Sequence, residues 1–237
     1  MSILSSRANV ARRVGRYTLV GASESSVDGP LYRALDGDTV VRLQFLANPE
    51  PDRVQDPEKA CLHPCLEPVL GSGQFAGLDY LVLPEDTGRR WQYAIAIQPG
   101  DWWHQIEMIL EVASAVASMH ARDLLHLRLD ASHVRDHGSH LTVHHAGTAR
   151  DLRGRASLPC LGPTYGIAHP APEQCLFGAG LTRQTDVYQL GVLLAPLCGI
   201  QAGRDGWTRR IGNCPSQRIP ESIAEVCTTA LRRADSK

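Results

Sequence analysis

Two short stretches of the sequence concentrate side chains that could do chemistry. The first, HLRLDASH, contains His126, Arg128, Asp130 and His133, and the second, HHAGTAR, opens with a histidine pair that includes His145. An aspartate or a histidine can accept a proton during catalysis, whereas the guanidinium of an arginine cannot. The role of these groups therefore depends on the elements that hold them.

A third stretch, ACLHPC, places Cys61 and Cys65 on either side of His63 and suggests a zinc site. A structural zinc site needs a second ligand pair at finger spacing, and none follows in the sequence. The chain has seven cysteines but no CxxC pair, so a disulfide framework is not expected either. We expect no metal at this stretch and interpret most cysteines as buried thiols.

Composition restricts the class of protein. The 237 residues are 43% hydrophobic and 21% charged, which is enough to bury the core of one large domain or two small lobes. The net charge of −1 provides no global field for a nucleic acid or an anionic membrane, so neither is expected as a partner. No apolar run approaches the roughly 18 to 20 residues of a membrane span, and the N-terminus lacks the apolar centre of a signal peptide. We expect a cytoplasmic protein, with residues 1–16 as a flexible lead segment.

The first third of the chain has the pattern of an antiparallel sheet. Short β-branched or aromatic runs, YTLV, TVVRLQFL and DYLVL, alternate with turn clusters such as ALDGD and GSGQFAG. Between them, the prolines of ANPEPDRVQDPEKA leave room for no more than a turn or two of helix.

After Pro99 the apolar residues recur with the period of a helix. A long helix is predicted in GDWWHQIEMILEVASAVASMHAR, with Asp101 as its N-cap. Its predicted apolar face consists of Ile106, Ile109, Leu110, Ala113, Val116, Ala117 and His120.

Shorter elements follow this helix. Two strands, near Val134 and at 141–143, are predicted to flank the turn DHGS. Two more helices are predicted in LTRQTDVYQLGVLLAPLCGI, opened by Thr182, and in IPESIAEVCTTALRR, with Pro220 near its first turn. A sheet-rich first third followed by helices predicts an α+β fold with two lobes.

The order of these pieces resembles a Hanks-type (eukaryotic-like) Ser/Thr protein kinase. LHPCLEPVL is similar to the family's L-x-H-P-N-I-V segment, DYLVLPEDTG to its hinge, and HLRLDASH to the loop H-R-D-L-K-P-S-N. HHAGTAR stands where D-F-G-x-A-R is expected, APEQ contains the A-P-E triplet, and DVYQLGVLL is similar to the helix D-V-Y-S-L-G. The resemblance covers residues 17–237. It implies a bilobal fold with an antiparallel N-lobe sheet at about 17–83, a reduced or missing regulatory helix, and a mainly helical C-lobe at about 88–237.

The residues that perform phosphoryl transfer in this family are replaced in this chain. By similarity, Arg128 stands at the catalytic aspartate and His133 at the asparagine that ligates magnesium. His145 and Ala146 stand at the aspartate and the phenylalanine of D-F-G. A guanidinium cannot accept a proton, and neutral imidazole is a poor ligand for magnesium, which prefers oxygen donors. The resemblance therefore implies neither a catalytic base nor a normal metal site.

The nucleotide site implied by the resemblance is degenerate as well. The third strand offers Gln44 or, two residues earlier, Arg42 at the phosphate-binding lysine, and both share the face toward the cleft. We favour Arg42 as a group that fills the adenine site over one that contacts a phosphate. Gly21, Gly29 and Leu83 mark the vestigial cleft, and the acidic residues between the two glycines would repel a phosphate. ATP binding is expected to be weak or absent, and no cofactor is expected.

Residues that hold the kinase frame are retained. By similarity, His126 is the histidine of the loop motif, Gly147 the glycine of D-F-G, and Glu173 the glutamate of A-P-E. Asp186 matches the helix aspartate that would brace the backbone of the loop. The combination predicts a pseudokinase, a kinase-like fold without phosphotransferase activity.

Such a protein would serve as a scaffold or regulatory module that binds a protein partner, such as an active kinase or another signalling protein. Trp102 and Trp103 are about 100° apart around a helix, so an outward tryptophan near the helix start is a candidate anchor for a partner. The alternative function is an enzyme on the same fold, with residual kinase activity or transfer of another group from a nucleotide.

Two hypotheses concern individual residues, and one concerns the whole chain. Asp130 is a candidate displaced base for the enzyme alternative. His133 and His145 replace groups that converge on one ion in the family, so they could bind zinc or another transition metal, with His144 or Asp130 as a further ligand. The chain stops at RRADSK, which leaves open a stabilising domain within a longer protein.

Overall fold

The computed structural model describes residues 12–22, 29–46, 63–91, 102–144, 149–160, 169–203, 206–209 and 220–232. The chain divides into two compact units, one formed by Met1–Pro49 and Val69–Asp86 and the other by Glu50–Pro68 and Thr87–Lys237. Within the described ranges, no helix combines the length and the apolar character that crossing a bilayer requires.

The first unit is built around an antiparallel sheet. Its strands are β1 (Arg12–Val14), β2 (Tyr17–Ala22), β3 (Leu31–Asp36), β4 (Thr39–Phe45), β5 (Gly71–Phe75) and β6 (Leu78–Pro84). Their spatial order is β1-β2-β3-β4-β6-β5. The turn between β5 and β6 has φ values of 51° at Ala76 and 79° at Gly77, the left-handed pair that suits a two-residue hairpin. The strands predicted at YTLV, TVVRLQFL and DYLVL are present.

Two parts of this sheet differ from the sequence-based expectation. Strand β1 lies within segment 1–16, which was expected to be a flexible lead. Its Val14 pairs with Tyr17 and is only 2% exposed, so this part of the segment belongs to the sheet. The stretch GSGQF is a strand and not a turn. Its Gly73 pairs with Tyr80, and a Cβ at Gly73 would lie 2.5 Å from the Tyr80 hydroxyl. The glycine therefore makes room for an aromatic ring.

One face of the sheet carries the apolar core of the first unit. The ring of Tyr80 packs edge-on against Tyr17, with 6.2 Å between centroids, and lies 5.7 Å from the ring of Phe45. Alternate residues of β4 point into this core, so Arg42 and Gln44 lie on the opposite face. The buried members of the core are Val14, Tyr17, Ala34, Val41, Leu43, Phe45, Tyr80 and Val82.

The second unit contains α1 (Trp102–His120), α2 (Arg183–Leu194) and α3 (Glu221–Leu231), with a short 3-10 helix at Pro172–Cys175. Its first strands are β7 (Arg89–Arg90), β8 (Leu124–Leu125), β9 (Val134–Asp136), β10 (Leu141–Val143) and β11 (Arg150–Asp151). They are followed by β12 (Leu158–Pro159), β13 (Gly180–Leu181), β14 (Ile200–Gly203) and β15 (Gly206–Arg209). Strand β9 lies between β7 and β10, and the other strands form the pairs β8–β11, β12–β13 and β14–β15.

The predicted helices and the strands that flank DHGS are present. Helix α2 begins after Thr182, whose Oγ1 atom accepts a hydrogen bond of 3.2 Å from the Gln184 amide. Helix α3 begins directly after Pro220. The predicted N-cap Asp101 lies outside the described residues.

The apolar face of α1 is rotated relative to the prediction. Leu110, expected in the core, is 63% exposed, and Ala117 is exposed as well. The helix has more apolar positions than one face can hold, and packing selects the row that contains its two methionines. The buried apolar residues of α1 are Ile106, Met108, Ile109, Val112, Ala115, Val116 and Met119.

Candidate functional site

The loop HLRLDASH follows β8 and is supported by a buried carboxylate from α2. Asp186 has no exposed surface, and its oxygens accept hydrogen bonds from the backbone amides of His126 (2.9 Å) and Leu127 (2.7 Å). The Nε2 atom of His120, the last residue of α1, lies 2.8 Å from the same carboxylate. A buried carboxylate needs such contacts to offset its lost hydration. Together they attach the loop to both helices.

Two glutamines complete the support of this loop. Leu127 has a φ of 62°, a left-handed conformation that a branched residue holds only where its surroundings fix it. Its carbonyl accepts hydrogen bonds from the side-chain amides of Gln174 (2.7 Å) and Gln189 (3.1 Å). Gln189 accepts from the Leu129 amide at 2.8 Å and donates to Gln174 Oε1 at 2.8 Å. Both glutamines are fully buried, so the network fixes the loop backbone.

The sequence did not identify Gln174 and Gln189 as supports of the loop, and it placed His120 on the apolar face of α1, although a signal for the two glutamines was present. Gln189 interrupts the apolar run DVYQLGVLL, and Gln174 directly follows A-P-E. A polar side chain among buried positions needs a hydrogen-bond partner. The partner itself becomes visible only in the fold, because Gln189 and Leu129 are 60 positions apart.

Glu173, the glutamate of the A-P-E triplet, is attached to the start of α2. Its Oε1 atom accepts a hydrogen bond of 2.7 Å from the Thr185 hydroxyl. That hydroxyl also accepts a hydrogen bond of 3.1 Å from the Thr182 amide. The 3-10 helix and the first turn of α2 are thereby linked through one buried threonine.

Arg128 lies in the supported loop, and its side chain is half-buried. Its backbone amide donates to Nδ1 of His126 at 3.3 Å. Burial lowers the pKa of its guanidinium; the Asp130 carboxylate counteracts this effect, and the charge of Arg150 adds to it. Arginine does not lose its proton in proteins, so the group at this position is a cation and not a proton acceptor.

Asp130, considered above as a displaced base, is engaged in a hydrogen-bonded cluster of its own. Its Oδ1 atom accepts from the amide (2.7 Å) and the hydroxyl (2.5 Å) of Ser132 and lies 3.1 Å from Nδ1 of His133. Burial raises the pKa of Asp130, but the hydrogen bond and charge of His133 and the hydrogen bonds of Ser132 outweigh it and hold the pKa at about 2. A carboxylate with so low a pKa is a weak base at neutral pH.

Three histidines lie near one another in the second unit. The rings of His126 and His133 are edge-to-face with centroids 6.3 Å apart, and Nε2 of His126 is 3.2 Å from the His144 carbonyl. Nε2 of His144 is 3.6 Å from Oε1 of the buried Glu67. Even so, no group of three or more His, Cys, Asp or Glu among the described residues is arranged to hold a metal ion.

Three motif positions, His145, Ala146 and Gly147, lie outside the described residues. The transition-metal hypothesis that combines His133 with His145 therefore stays a prediction. Any contact of Gly147, the equivalent of the D-F-G glycine, also stays a prediction.

The stretch ACLHPC is described from His63 onward, so Cys61 lies outside the described residues. Nε2 of His63 is 3.2 Å from the Ser114 hydroxyl, and its Nδ1 atom accepts a hydrogen bond from the Cys65 amide. Burial, with a smaller contribution from Glu111, raises the pKa of Cys65 to about 12. Because zinc binds the thiolate, this protonated thiol is a poor ligand.

In the first unit, Arg42 and Gln44 are both buried on one face of β4. Arg42 is opposite Leu83 in the β4–β6 ladder. Its Nε atom donates to the Pro84 carbonyl at 2.8 Å, and one terminal nitrogen lies 3.9 Å from a carboxylate oxygen of Asp86. The guanidinium is therefore engaged with the end of β6, in the segment that resembles the hinge.

The two glycines expected around the nucleotide loop differ in their surroundings. Gly21 pairs with Arg33 in the β2–β3 ladder, and a Cβ there would meet nothing within 4 Å. Gly29 has a φ of 137°, which favours glycine strongly. Residues 23–28 between them, with the two acidic side chains, lie outside the described residues.

Comparison with known proteins shows the fold. The sequence matches no protein-family model and no curated protein. A crystal structure of the Mycobacterium tuberculosis PknI kinase domain is similar with a TM-score of 0.66 at 18% identity, covering 97% of this chain and 94% of that chain. A second crystal structure of that domain has a TM-score of 0.62 at 16% identity, covering 94% of this chain and all of that chain.

A mutant form of the same domain gives a TM-score of 0.59 at 18% identity, with 79% of this chain and 76% of that chain covered. Identities this low establish architecture and not activity. The order of motifs in the sequence predicted the same architecture. The chain has a Hanks-type protein-kinase-like α+β fold.

Proposed function

We propose that this chain is a pseudokinase, a kinase-fold protein without phosphotransferase activity that acts as a protein-binding module. The observation that carries the proposal is Arg128, which stands in the loop HLRLDASH where the resemblance expects the catalytic aspartate. Phosphoryl transfer to a hydroxyl needs a carboxylate that orients the nucleophile and accepts its proton. The guanidinium at this position stays protonated and has no acceptor atom, so it cannot take the proton of the attacking hydroxyl.

Asp130 does not replace the missing base. Its Oδ1 atom is already engaged by Ser132 and His133, and its pKa of about 2 makes it a poor proton acceptor. The carboxylate therefore serves the structure of the loop.

The donor set does not fit magnesium. By the resemblance, His133 stands at the position of the amide ligand and His145 at the carboxylate ligand. Magnesium prefers oxygen donors in octahedral geometry, whereas imidazole suits zinc, copper and nickel. In this proposal the chain does not bind the magnesium ion that phosphoryl transfer needs.

The hinge-like segment supports weak or absent nucleotide binding. Arg42 already donates to the Pro84 carbonyl, and its charge is placed next to Asp86. A purine that bound to this carbonyl would have to displace a buried, charge-assisted hydrogen bond. In this proposal Arg42 fills the base site and does not bind a phosphate.

A thermal-shift titration with ATP, ADP and GTP, each with Mg²⁺ or Mn²⁺, tests the proposal. Because a ligand that binds only the folded state raises the melting temperature, we expect no shift at millimolar nucleotide. Saturable stabilisation that requires the metal would contradict the proposal and favour the enzyme alternative. The Mycobacterium tuberculosis PknI kinase domain is a suitable comparison protein for the same titration.

A further inference from the structure

Helix α1 carries a second apolar row on the side opposite its core face. Trp103 is 55% exposed and Leu110 is 63% exposed. Residues seven positions apart return to the same side of a helix, so the two side chains lie about 10 Å apart along one line. Single exposed apolar residues are common, but two large ones aligned on a helix form the seam that helix–helix contacts use.

The other residues of this row are polar or small. Glu107 and Ser114 lie on the same line and are exposed, as is Ala117 at its far end. The small side chain of Ala117 leaves room near Leu110 for side chains of a second helix, whereas the Ser114 hydroxyl already contacts Nε2 of His63 at 3.2 Å. Tryptophan at such a site is the residue type that most often anchors a protein interface.

The charge of this face is of one sign. Glu107 is exposed on the row and Glu111 on its flank, the sequence has no Lys or Arg between Trp103 and Ala117, and His63 contacts the row at Ser114. A partner that covers the apolar row therefore meets two carboxylates. Basic side chains on the partner would pair with them, whereas acidic ones would be repelled.

We propose that this face, the Trp103–Leu110 row, docks a basic amphipathic helix of a partner protein. The inference rests on the protein-binding role proposed above and assigns that role to one surface. The partner helix presents apolar side chains at seven-residue spacing to Trp103 and Leu110, flanked by Lys or Arg opposite Glu107 and Glu111.

A second copy of this chain is the less favourable occupant. In a twofold antiparallel pairing centred on Leu110, Glu107 of one copy lies near Glu111 of the other, and the same contact recurs by symmetry. Like charges at such positions destabilise helix contacts. Charge complementarity therefore selects a different, basic partner.

The test uses the full chain and a fluorescein-labelled synthetic peptide of about four helical turns, with Leu at the core spacing and Lys elsewhere. A second peptide has Glu in place of every Lys. Fluorescence anisotropy should show the basic peptide binding at least about tenfold more tightly than the acidic one. Leu110→Asp should weaken binding of the basic peptide by about tenfold or more, and Glu107→Lys with Glu111→Lys should reverse the preference.

Val226→Asp is the matched control, because Val226 is 64% exposed on α3 and lies outside the row. Circular dichroism of each variant checks that the fold is retained. Equal binding of both peptides, or an equal loss in Leu110→Asp and Val226→Asp, would overturn the inference. Sedimentation of the chain alone provides a further check: a dimer that Leu110→Asp abolishes would assign the face to a second copy and also overturn it.

The nucleotide titration is independent of these measurements. Metal-dependent ATP binding with intact peptide binding would contradict the pseudokinase proposal and leave the docking face in place. A flat nucleotide titration together with equal binding of both peptides would leave the pseudokinase proposal in place and overturn the docking face.

Discussion

The loop after β8 and the β4 strand both bury polar side chains, but they use them differently. Beneath the loop, Asp186 accepts hydrogen bonds from two loop amides, whereas Gln174 and Gln189 bond to loop backbone groups and to each other; all three are fully buried. In β4, Arg42 bonds to one backbone carbonyl and approaches a carboxylate at 3.9 Å. The loop network fixes a backbone path, whereas Arg42 stands where the resemblance implies a ligand contact. The residues that support the loop backbone therefore differ from the residue at the position where the resemblance implies a ligand contact.

Removal of the carboxylate that supports the loop should have the largest effect on stability. Asp186→Ala leaves two buried backbone amides without an acceptor, so we expect a loss of about 3 to 5 kcal/mol in the free energy of unfolding. Urea denaturation monitored by circular dichroism measures it. The control is Asp123→Asn, because Asp123 forms an exposed ion pair with Arg183 and asparagine suits its left-handed φ of 57°; loss of the pair should cost about 0.5 kcal/mol. Similar losses in the two variants would contradict the assigned role.

The two glutamines should behave as one unit. Gln174→Leu and Gln189→Leu each remove hydrogen bonds to the Leu127 carbonyl, and each should cost about 2 kcal/mol. Because the side chains also bond to each other, the double variant should lose about 1 kcal/mol less than the sum of the single losses. A double-mutant cycle by urea denaturation measures this coupling. Strictly additive losses would show that the network is not cooperative.

The Asp130 cluster predicts a dependence of stability on acid. The folded-state pKa of about 2 lies below the ordinary value of 3.8, so the ionised carboxylate stabilises the protein above about pH 4. This contribution of about 2 kcal/mol is lost as the pH falls toward 2. Comparing the pH dependence of unfolding with that of Asp130→Asn isolates it. The variant should have the shallower acid limb, and parallel curves would argue against the low pKa.

Arg42 gives the smallest expected effect on stability. Arg42→Met keeps an apolar stem but removes the hydrogen bond to the Pro84 carbonyl, at a cost of about 1 kcal/mol. Because the proposed pseudokinase site also lacks magnesium ligands, we expect no ATP-dependent stabilisation of this variant. Melting temperatures with and without ATP and Mg²⁺ measure both quantities. If ATP stabilised Arg42→Met but not the unchanged chain, the Arg42 side chain would be the group that prevents nucleotide binding.

Much of the fold could be predicted from sequence because local signals and global architecture agree. Thr182 marks the start of α2 by its capping hydroxyl, and the period change after Pro99 predicts α1. The turn predicted at GSGQF is wrong because glycine occurs both in turns and in strands where another group approaches the backbone closely. Only the ring of Tyr80 opposite Gly73 shows that the second case applies. Leu110 was misplaced because the apolar pattern of α1 fits more than one face.

The candidate site also has one part that the sequence predicts and one part that only the fold reveals. Motif order predicts that Arg128 and His133 are replacements, since that prediction needs only the sequence. The support of Leu127 by Gln174 and Gln189 could not be predicted, because it joins positions far apart in the chain through side chains without a motif signature. Long-range polar contacts of this kind require the fold.

The most direct test of the central claim is a phosphotransfer assay with ATP labelled at the γ-phosphate, Mg²⁺ or Mn²⁺, and a general protein substrate. We expect no transfer above a blank, in the chain itself and in Asp130→Ala alike, because by similarity the guanidinium of Arg128 stands at the position of the base. Transfer by the chain that Asp130→Ala abolishes would contradict the account and identify a kinase with a displaced base.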